Sequence, residues 1–168
     1  MECAIIICRE GIITTDDLFI GCDSRQLGIV ADHGKGSYLW DSNGKRYLDF
    51  VSGIAALSLG HCHPVVVKAI QKQSEKLLLS SNYTYTEPQN ELAKYLYKLF
   101  PDYKKHYFQN SGAEAVELAI KLARYWAYKN KPGAYKIISL KNSFHGRTFG
   151  ALSATGKPQY QEPFAPLV

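Results

Sequence analysis

Apolar and polar positions change rhythm along the chain, and each change marks an element. Ser37-Tyr38-Leu39-Trp40-Asp41 and Lys45-Arg46-Tyr47-Leu48-Asp49-Phe50 alternate, and Ser42-Asn43-Gly44 separates them. Asn-Gly between alternating aromatic segments predicts a hairpin, because both residues tolerate positive φ. His63-Pro64 then opens a predicted helix, with Pro64 in the first turn, where its missing N–H has no partner to lose. Val66, Ala69, Ile70, Gln73 and Leu77 mark the inner face, with the lysines largely opposite. A second helix is predicted from about Pro88 to Phe100, with Leu92, Leu96 and Leu99 on one side and Pro101 closing it.

Beyond it, Lys105 to Gln109 reads as a short strand and Asn110-Ser111-Gly112 as a turn. Ala113 to Tyr128 reads as a long helix whose Ala115, Leu118, Ala119, Leu122, Ala123 and Trp126 follow the helical period. Pro132-Gly133 breaks it, and Tyr135-Lys136-Ile137-Ile138-Ser139-Leu140 reads as a buried strand. Strand, helix, strand with short connections is a βαβ unit, which implies a parallel sheet with helices on its faces. The expected fold class is α/β, with a small antiparallel hairpin region in front.

Composition narrows the class. The chain has 168 residues, 46% hydrophobic and 21% charged, which excludes collagen-like, low-complexity and largely disordered readings. At about 150 residues per domain, that length is one domain or slightly more. It suffices for a core without disulfide or metal staples. Lys plus Arg at 20 against Asp plus Glu at 15 gives +5, spread without a block of like charges. That pattern suits a phosphorylated or carboxylate ligand, and no nucleic-acid partner is expected. Cys3, Cys8, Cys22 and Cys62 form no Cys-x-x-Cys pair and are too sparse for a disulfide framework, so a cytoplasmic protein is expected. The apolar run from Cys3 to Cys8 follows an acid and lacks a small-residue cleavage site, so it reads as a short buried strand. No stretch approaches the roughly 20 apolar residues of a membrane span, and no membrane partner is expected. The end, Glu162-Pro163-Phe164-Ala165-Pro166-Leu167-Val168, reads like a sequence cut in mid-loop.

Four constellations could carry chemistry. Asn110-Ser111-Gly112-Ala113-Glu114 joins a strand end to a helix start, where unpaired N–H groups and the helix dipole suit a phosphate. An ordinary N-cap at Asn110 or Ser111 is the plainer reading of the same turn. It is neither a Walker A loop nor a dinucleotide fingerprint, since Gly-Lys-Ser/Thr and Gly-x-Gly-x-x-Gly are both missing here. Ser143-Phe144-His145-Gly146-Arg147-Thr148 follows the next predicted strand, so both loops would share one crevice. There Phe144 could stack on a flat ring, His145 stands beside it, and Arg147 could grip a carboxylate; alternatively these are a core Phe, a structural His and a surface Arg. Gly60-His61-Cys62-His63-Pro64 invites a zinc reading, but a closed site needs four ligands and no second cluster matches, so a turn leading into the helix with buried polar contacts is expected and no metal. Asn82-Tyr83-Thr84-Tyr85-Thr86-Glu87-Pro88 is a polar aromatic loop in which Tyr85 could wall a substrate pocket, or Thr86 simply cap a helix.

These pieces, in this order, resemble the class III (subgroup II) pyridoxal-phosphate aminotransferases, continuously from about Asp16 to the end. The blocks that carry the likeness are Gly36-Ser37-Tyr38-Leu39-Trp40-Asp41, Asp49-Phe50-Val51-Ser52-Gly53-Ile54-Ala55, Leu59-Gly60-His61-Cys62-His63-Pro64, Asn110-Ser111-Gly112-Ala113-Glu114-Ala115 and Phe144-His145-Gly146-Arg147. The Ser-Gly-Ile-Ala stretch and the Tyr-Thr-Glu-Pro loop are similar to the acetylornithine branch, and Ile54 stands where ornithine enzymes usually carry a substrate-facing tyrosine.

The resemblance implies fold type I, truncated: residues 1–60 as an N-terminal extension and small-domain segment with the hairpin, and 61–168 as the start of the large cofactor-binding domain. It implies a cytoplasmic homodimer, when full length, that uses pyridoxal 5'-phosphate. Such an enzyme passes an amino group from a small-molecule donor, N-acetylornithine or a related ω-amino compound, to a 2-oxo acid acceptor, 2-oxoglutarate, in arginine biosynthesis. Carried over by position, Ser111, Gly112 and Ala113 hold the cofactor phosphate, Phe144 stacks on the ring with His145 beside it, and Arg147 and Tyr85 serve the substrate. Ala113 departs from the commoner Thr, which removes a hydroxyl but keeps the backbone donors, and Val116 replaces a frequent Asn. The family's cofactor-bearing lysine, the acid partner of the ring nitrogen and the segment that closes the site all fall beyond the matched stretch. Lys141 and Lys157 stand in the wrong blocks to substitute, so no catalytic residue is expected within this chain. An inactive fragment, a phosphate-binding remnant and another class III aminotransferase (ornithine, succinylornithine or 4-aminobutyrate) stay open beside the acetylornithine reading.

Overall fold

Ala31–Lys35 (β1), Tyr38–Asp41 (β2) and Arg46–Leu48 (β3) form an antiparallel sheet in the order β1-β2-β3 in a computed structural model that describes residues 29–168. The expected strand from Cys3 to Cys8 therefore lies outside the described residues. The β2–β3 hairpin is the one that Asn43-Gly44 predicts, with Tyr38 opposite Leu48 and Trp40 opposite Arg46. Gly44 has φ 78 and donates its N–H to the Asp41 carbonyl at 2.9 Å, a left-handed position that a glycine fills without strain. Asp41 is buried and fully engaged. Its Oδ1 accepts the N–H groups of Asn43 and Lys45, and its Oδ2 accepts the Tyr47 hydroxyl at 2.8 Å. The Tyr47 hydroxyl, followed by the Lys45 N–H, holds the Asp41 carboxyl below its ordinary range. β1 has no alternating pattern to announce it. It is added through His33, whose ring stacks on Trp40 at 4.9 Å.

The chain then makes a turn of the opposite hand. Ser52–Ala55 (α1) carries φ 49, 62, 59 and 63, and the Ala55 N–H reaches the Val51 carbonyl at 3.0 Å. Left-handed backbone costs about 1–2 kcal/mol for each non-glycine residue, so something must hold it. Asp49 does: its Oδ1 accepts the N–H groups of Val51 and Ser52 at 2.9 and 3.0 Å. Helix α2, Pro64–Lys76, follows with Pro64 in its first turn. By contacts these elements belong to a unit that ends at Ser81, and a second unit runs from Asn82 to Val168.

The second unit holds α3 (Glu87–Leu99), α4 (Gly112–Asn130), α5 (Phe149–Ala154), α6 (Pro158–Gln161) and a 3-10 turn at Glu162–Phe164. α3 and α4 lie where the periodicity puts them. The segments expected as strands at 105–109 and 135–140 carry no ladder hydrogen bonds among the described residues. A strand exists only with a neighbour to share its ladder, and Ile138 and Leu140, at 94% and 79% exposed, have none beside them among those residues. The stripe on α4 is also turned. Leu122 and Trp126 are exposed, whereas Ala113, Val116, Glu117 and Ile120 are half-buried. Ala151, Leu152, Ala154 and Thr155 make the buried centre of this unit together with Ala127.

Candidate functional site

The start of α4 is built by a reciprocal cap. Ser111 is extended at φ −148, and its Oγ accepts the Glu114 N–H at 3.2 Å. Glu114 reaches back, its Oε2 accepting the Asn110 N–H at 2.8 Å and the Ser111 hydroxyl at 3.4 Å. This capping box occupies the Ser111 hydroxyl and the third N–H of the helix. The N–H groups of Gly112 and Ala113 come before any carbonyl that could accept them within the helix. A Cβ added to Gly112 would meet nothing within 4 Å, so this face stands open. Open donors at a helix start fit an anion.

The second loop lies directly against that start. Gly146 has φ 136, and a Cβ there would fall 2.8 Å from the Cβ of Ala113 and of Ala151. No side chain fits between the loop and the first turn of α4. Thr155, wholly buried, holds the loop from behind. Its Oγ1 accepts the His145 N–H at 3.0 Å and lies 3.3 Å from the carbonyl oxygens of Gly146 and Ala151. Glu117, one turn on from Ala113, closes the other side. Its Oε1 accepts the Thr148 hydroxyl and, at 3.0 Å, the Ala151 N–H. Those two donors, the Thr148 hydroxyl first, hold the Glu117 carboxyl below its ordinary range. Gly150 leaves room for the carboxylate, since a Cβ there would collide with Glu117 Oε2.

Phe144 is 57% exposed, and Arg147 is exposed and makes no ion pair among the described residues. The structure thus joins Gly112 and Ala113 to His145 and Gly146, with Ser111 and Arg147 at the two ends. It does not bring Tyr85 to them by any hydrogen bond or ring contact; Tyr85 is 92% exposed on the loop before α3. Sequence reasoning missed Glu117 and Thr155. Gly150, a glycine inside a helical run, was the one signal for Glu117, and a threonine at a helix end gave little for Thr155.

The His61-Cys62-His63 loop is a structural clamp. His61 Nε2 lies 2.7 Å from Asp49 Oδ2, and its backbone exchanges two hydrogen bonds with Gly36. Among the described residues no three His, Cys, Asp or Glu side chains converge as a metal site would need. Nor is any described helix long and apolar enough to cross a membrane.

The chain belongs to the class-III aminotransferase family, whose model matches residues 20–168. Its fold is that of the fold type I aminotransferases, present as a partial, mixed α/β segment. It is 50% identical over 159 residues to an acetylornithine aminotransferase of Caldanaerobacter subterraneus subsp. tengcongensis, covering 94% of this chain and 40% of that protein. Among solved structures, the adenosylmethionine-8-amino-7-oxononanoate aminotransferase of Methanocaldococcus jannaschii superposes with a TM-score of 0.84 at 32% identity, over 91% of this chain and 37% of that one. An ornithine aminotransferase of Toxoplasma gondii, which carries pyridoxal phosphate at partial occupancy in its active site, superposes with a TM-score of 0.74 at 33% identity, over 88% and 35%. The chain spans about two-fifths of the length of the curated relatives it matches.

Proposed function

We propose that this chain is the N-terminal part of a pyridoxal-phosphate-dependent aminotransferase that moves an amino group from N-acetylornithine, or a related ω-amino donor, to 2-oxoglutarate. The observation that carries the reading is the packing of Gly146 on Ala113, which sets both motif loops on one site. The open N–H groups of Gly112 and Ala113 fit the cofactor's phosphate, with Ser111 fixing the helix start. Phe144 would lie over the pyridine ring with His145 beside it, and Arg147 would hold a substrate carboxylate by two parallel hydrogen bonds. Tyr85 would line the donor's approach. When bound, the cofactor supplies the electron sink that lets an amino-acid carbon lose a proton. The residues here bind and orient. The lysine that carries the cofactor and moves the proton is read as lying beyond this chain, which by itself would be inactive.

In the same reading, residues 1–60 belong to the small domain and 61–168 to the large one, and the whole enzyme is a cytoplasmic homodimer of arginine biosynthesis. Large apolar side chains left exposed, among them Phe50, Leu79, Ile138 and Leu140, support a larger protein around this segment. The test is to read the coding sequence downstream and assay the joined protein. A downstream frame with the family's lysine, and turnover of acetylornithine faster than ornithine or 4-aminobutyrate, is the expected result. A true stop with no such frame overturns the enzyme reading. Cofactor binding by the 168-residue chain without a borohydride-trappable adduct would then mark a binding module instead.

A further inference from the structure

We propose that Glu117 is the positioning residue of this site, setting where Phe144 and Arg147 stand relative to the Gly112–Ala113 turn. The assignment rests on the cofactor reading above. Glu117 leaves α4 one turn beyond Ala113, so its carboxylate is fixed to the same rigid element as the open N–H groups. One oxygen, Oε1, holds both the Thr148 hydroxyl and the Ala151 N–H. Those donors flank the end of the Phe144–Arg147 loop and the first turn of α5. The other oxygen lies against Gly150, where any side chain would collide with it. Thr155 pins the middle of the loop through the His145 N–H, and Gly146 fills the contact with Ala113. The loop is therefore held at three points, two of them on α4, and Glu117 is the one that ties it to α4 by hydrogen bonds rather than by packing.

Such a residue acts on the distance between two subsites, not on either one. The phosphate turn is complete without it, because Gly112, Ala113 and the Ser111–Glu114 cap do not depend on Glu117. The ring-facing loop keeps Thr155 and the Gly146–Ala113 contact when Glu117 is lost, but loses its hydrogen bonds to α4. Removing Glu117 should spare a ligand that uses only the phosphate turn and weaken one that needs phosphate and ring together.

The experiment compares inorganic phosphate with pyridoxal 5'-phosphate as probes of the cofactor-free joined full-length protein, its Glu117→Ala and Glu117→Gln variants, by NMR titration of the Gly112 and Ala113 amides. Hydrogen exchange at the Ala151 amide is read in parallel without ligand. Glu117→Ala is expected to speed Ala151 exchange and to lower the ratio of pyridoxal-phosphate to phosphate affinity about tenfold, with phosphate affinity unchanged. Glu117→Gln keeps a carbonyl acceptor and is expected to recover most of both. Equal weakening of both probes, an unchanged ratio, or no recovery with Gln overturns the positioning role. If the parent chain binds the two probes equally, the cofactor reading fails and the assignment with it, while the Ala151 exchange still reports whether Glu117 holds the loop.

Discussion

His61 Nε2 stands 2.7 Å from Asp49 Oδ2, and the other oxygen of the same carboxylate holds the N–H groups of Val51 and Ser52. One side chain therefore ties the left-handed turn Ser52–Ala55 to the Gly60–Pro64 loop. The loop in turn bridges to Gly36 at the head of the hairpin. The Ser52 N–H, and after it His61, holds Asp49 below its ordinary carboxylate range. A lowered native value means the contribution to stability is present above the unfolded value, about 3.9, and is lost as pH falls through the native one. The Asp49 carboxyl carbon should therefore show its own protonation step below the usual aspartate value in an NMR pH titration. A protonation step of that carboxyl centred above the usual aspartate value would refute the clamp.

The same loop makes glycine obligatory at unequal cost. A Cβ on Gly34 would fall 2.6 Å from His61 Cγ, and one on Gly60, at φ 80, would fall 2.8 Å from the Gly36 carbonyl oxygen. Gly36 itself has φ 58 but open space where a Cβ would go. Gly36→Ala should cost only the left-handed strain, about 1–2 kcal/mol. Gly60→Ala adds a backbone collision and should cost clearly more. Gly34→Ala should displace the His61 ring from Asp49. Urea midpoints of the three variants give the order, and equal costs for Gly36→Ala and Gly60→Ala would show that the Gly60–Gly36 approach is looser than 2.8 Å implies.

Legibility in the sequence follows how local each feature's cause is. The β2–β3 hairpin is written in Asn43-Gly44, and the helices from Pro64 and around Leu92–Leu99 in period and proline placement. The two site loops were readable because short motifs carry them: Ser111-Gly112 marks a helix start, and Gly146 a close approach. The left-handed turn was not, because Ser52, Ile54 and Ala55 carry no preference for it; the reason lies in Asp49 and its partner His61, twelve residues on. The strands at 105–109 and 135–140 were expected from apolar runs, yet a strand is completed by its neighbour. The apolar stripe of α4 has the right period but not the partner it implied. Instead Glu117, a charged residue, faces α5, since hydrogen bonds to Thr148 and Ala151 decide that contact.

Thr155 gives a sharper test of the loop's own stability. Its hydroxyl is wholly buried, accepts the His145 N–H and lies within reach of the Gly146 and Ala151 carbonyl oxygens. Thr155→Val keeps the shape but strands a buried donor and acceptor, a loss of about 1–3 kcal/mol. Thr155→Ser keeps the hydroxyl and should recover much of that. Thermal melts of the three proteins decide it, and a Val variant as stable as the parent would mean that water replaces the hydroxyl.

Ser111 separates capping from anion binding. Its Oγ accepts the Glu114 N–H at 3.2 Å, so Ser111→Ala should cost about 1 kcal/mol of stability, the usual worth of such a cap. The Gly112 and Ala113 N–H groups survive that change, and phosphate affinity should fall only slightly. Ser111→Asp keeps an N-cap acceptor and should be close to the parent in stability. It also places a carboxylate beside the two open donors and close to Glu114, where a second anion is repelled. At about 1.4 kcal/mol of repulsion, within the range for charges near a protein surface, phosphate affinity should drop about tenfold. Paired melts and phosphate titrations of both variants check this. If Asp and Ala weakened phosphate binding alike, the anion would not be sitting at the start of α4, and the turn would be a helix cap and nothing more.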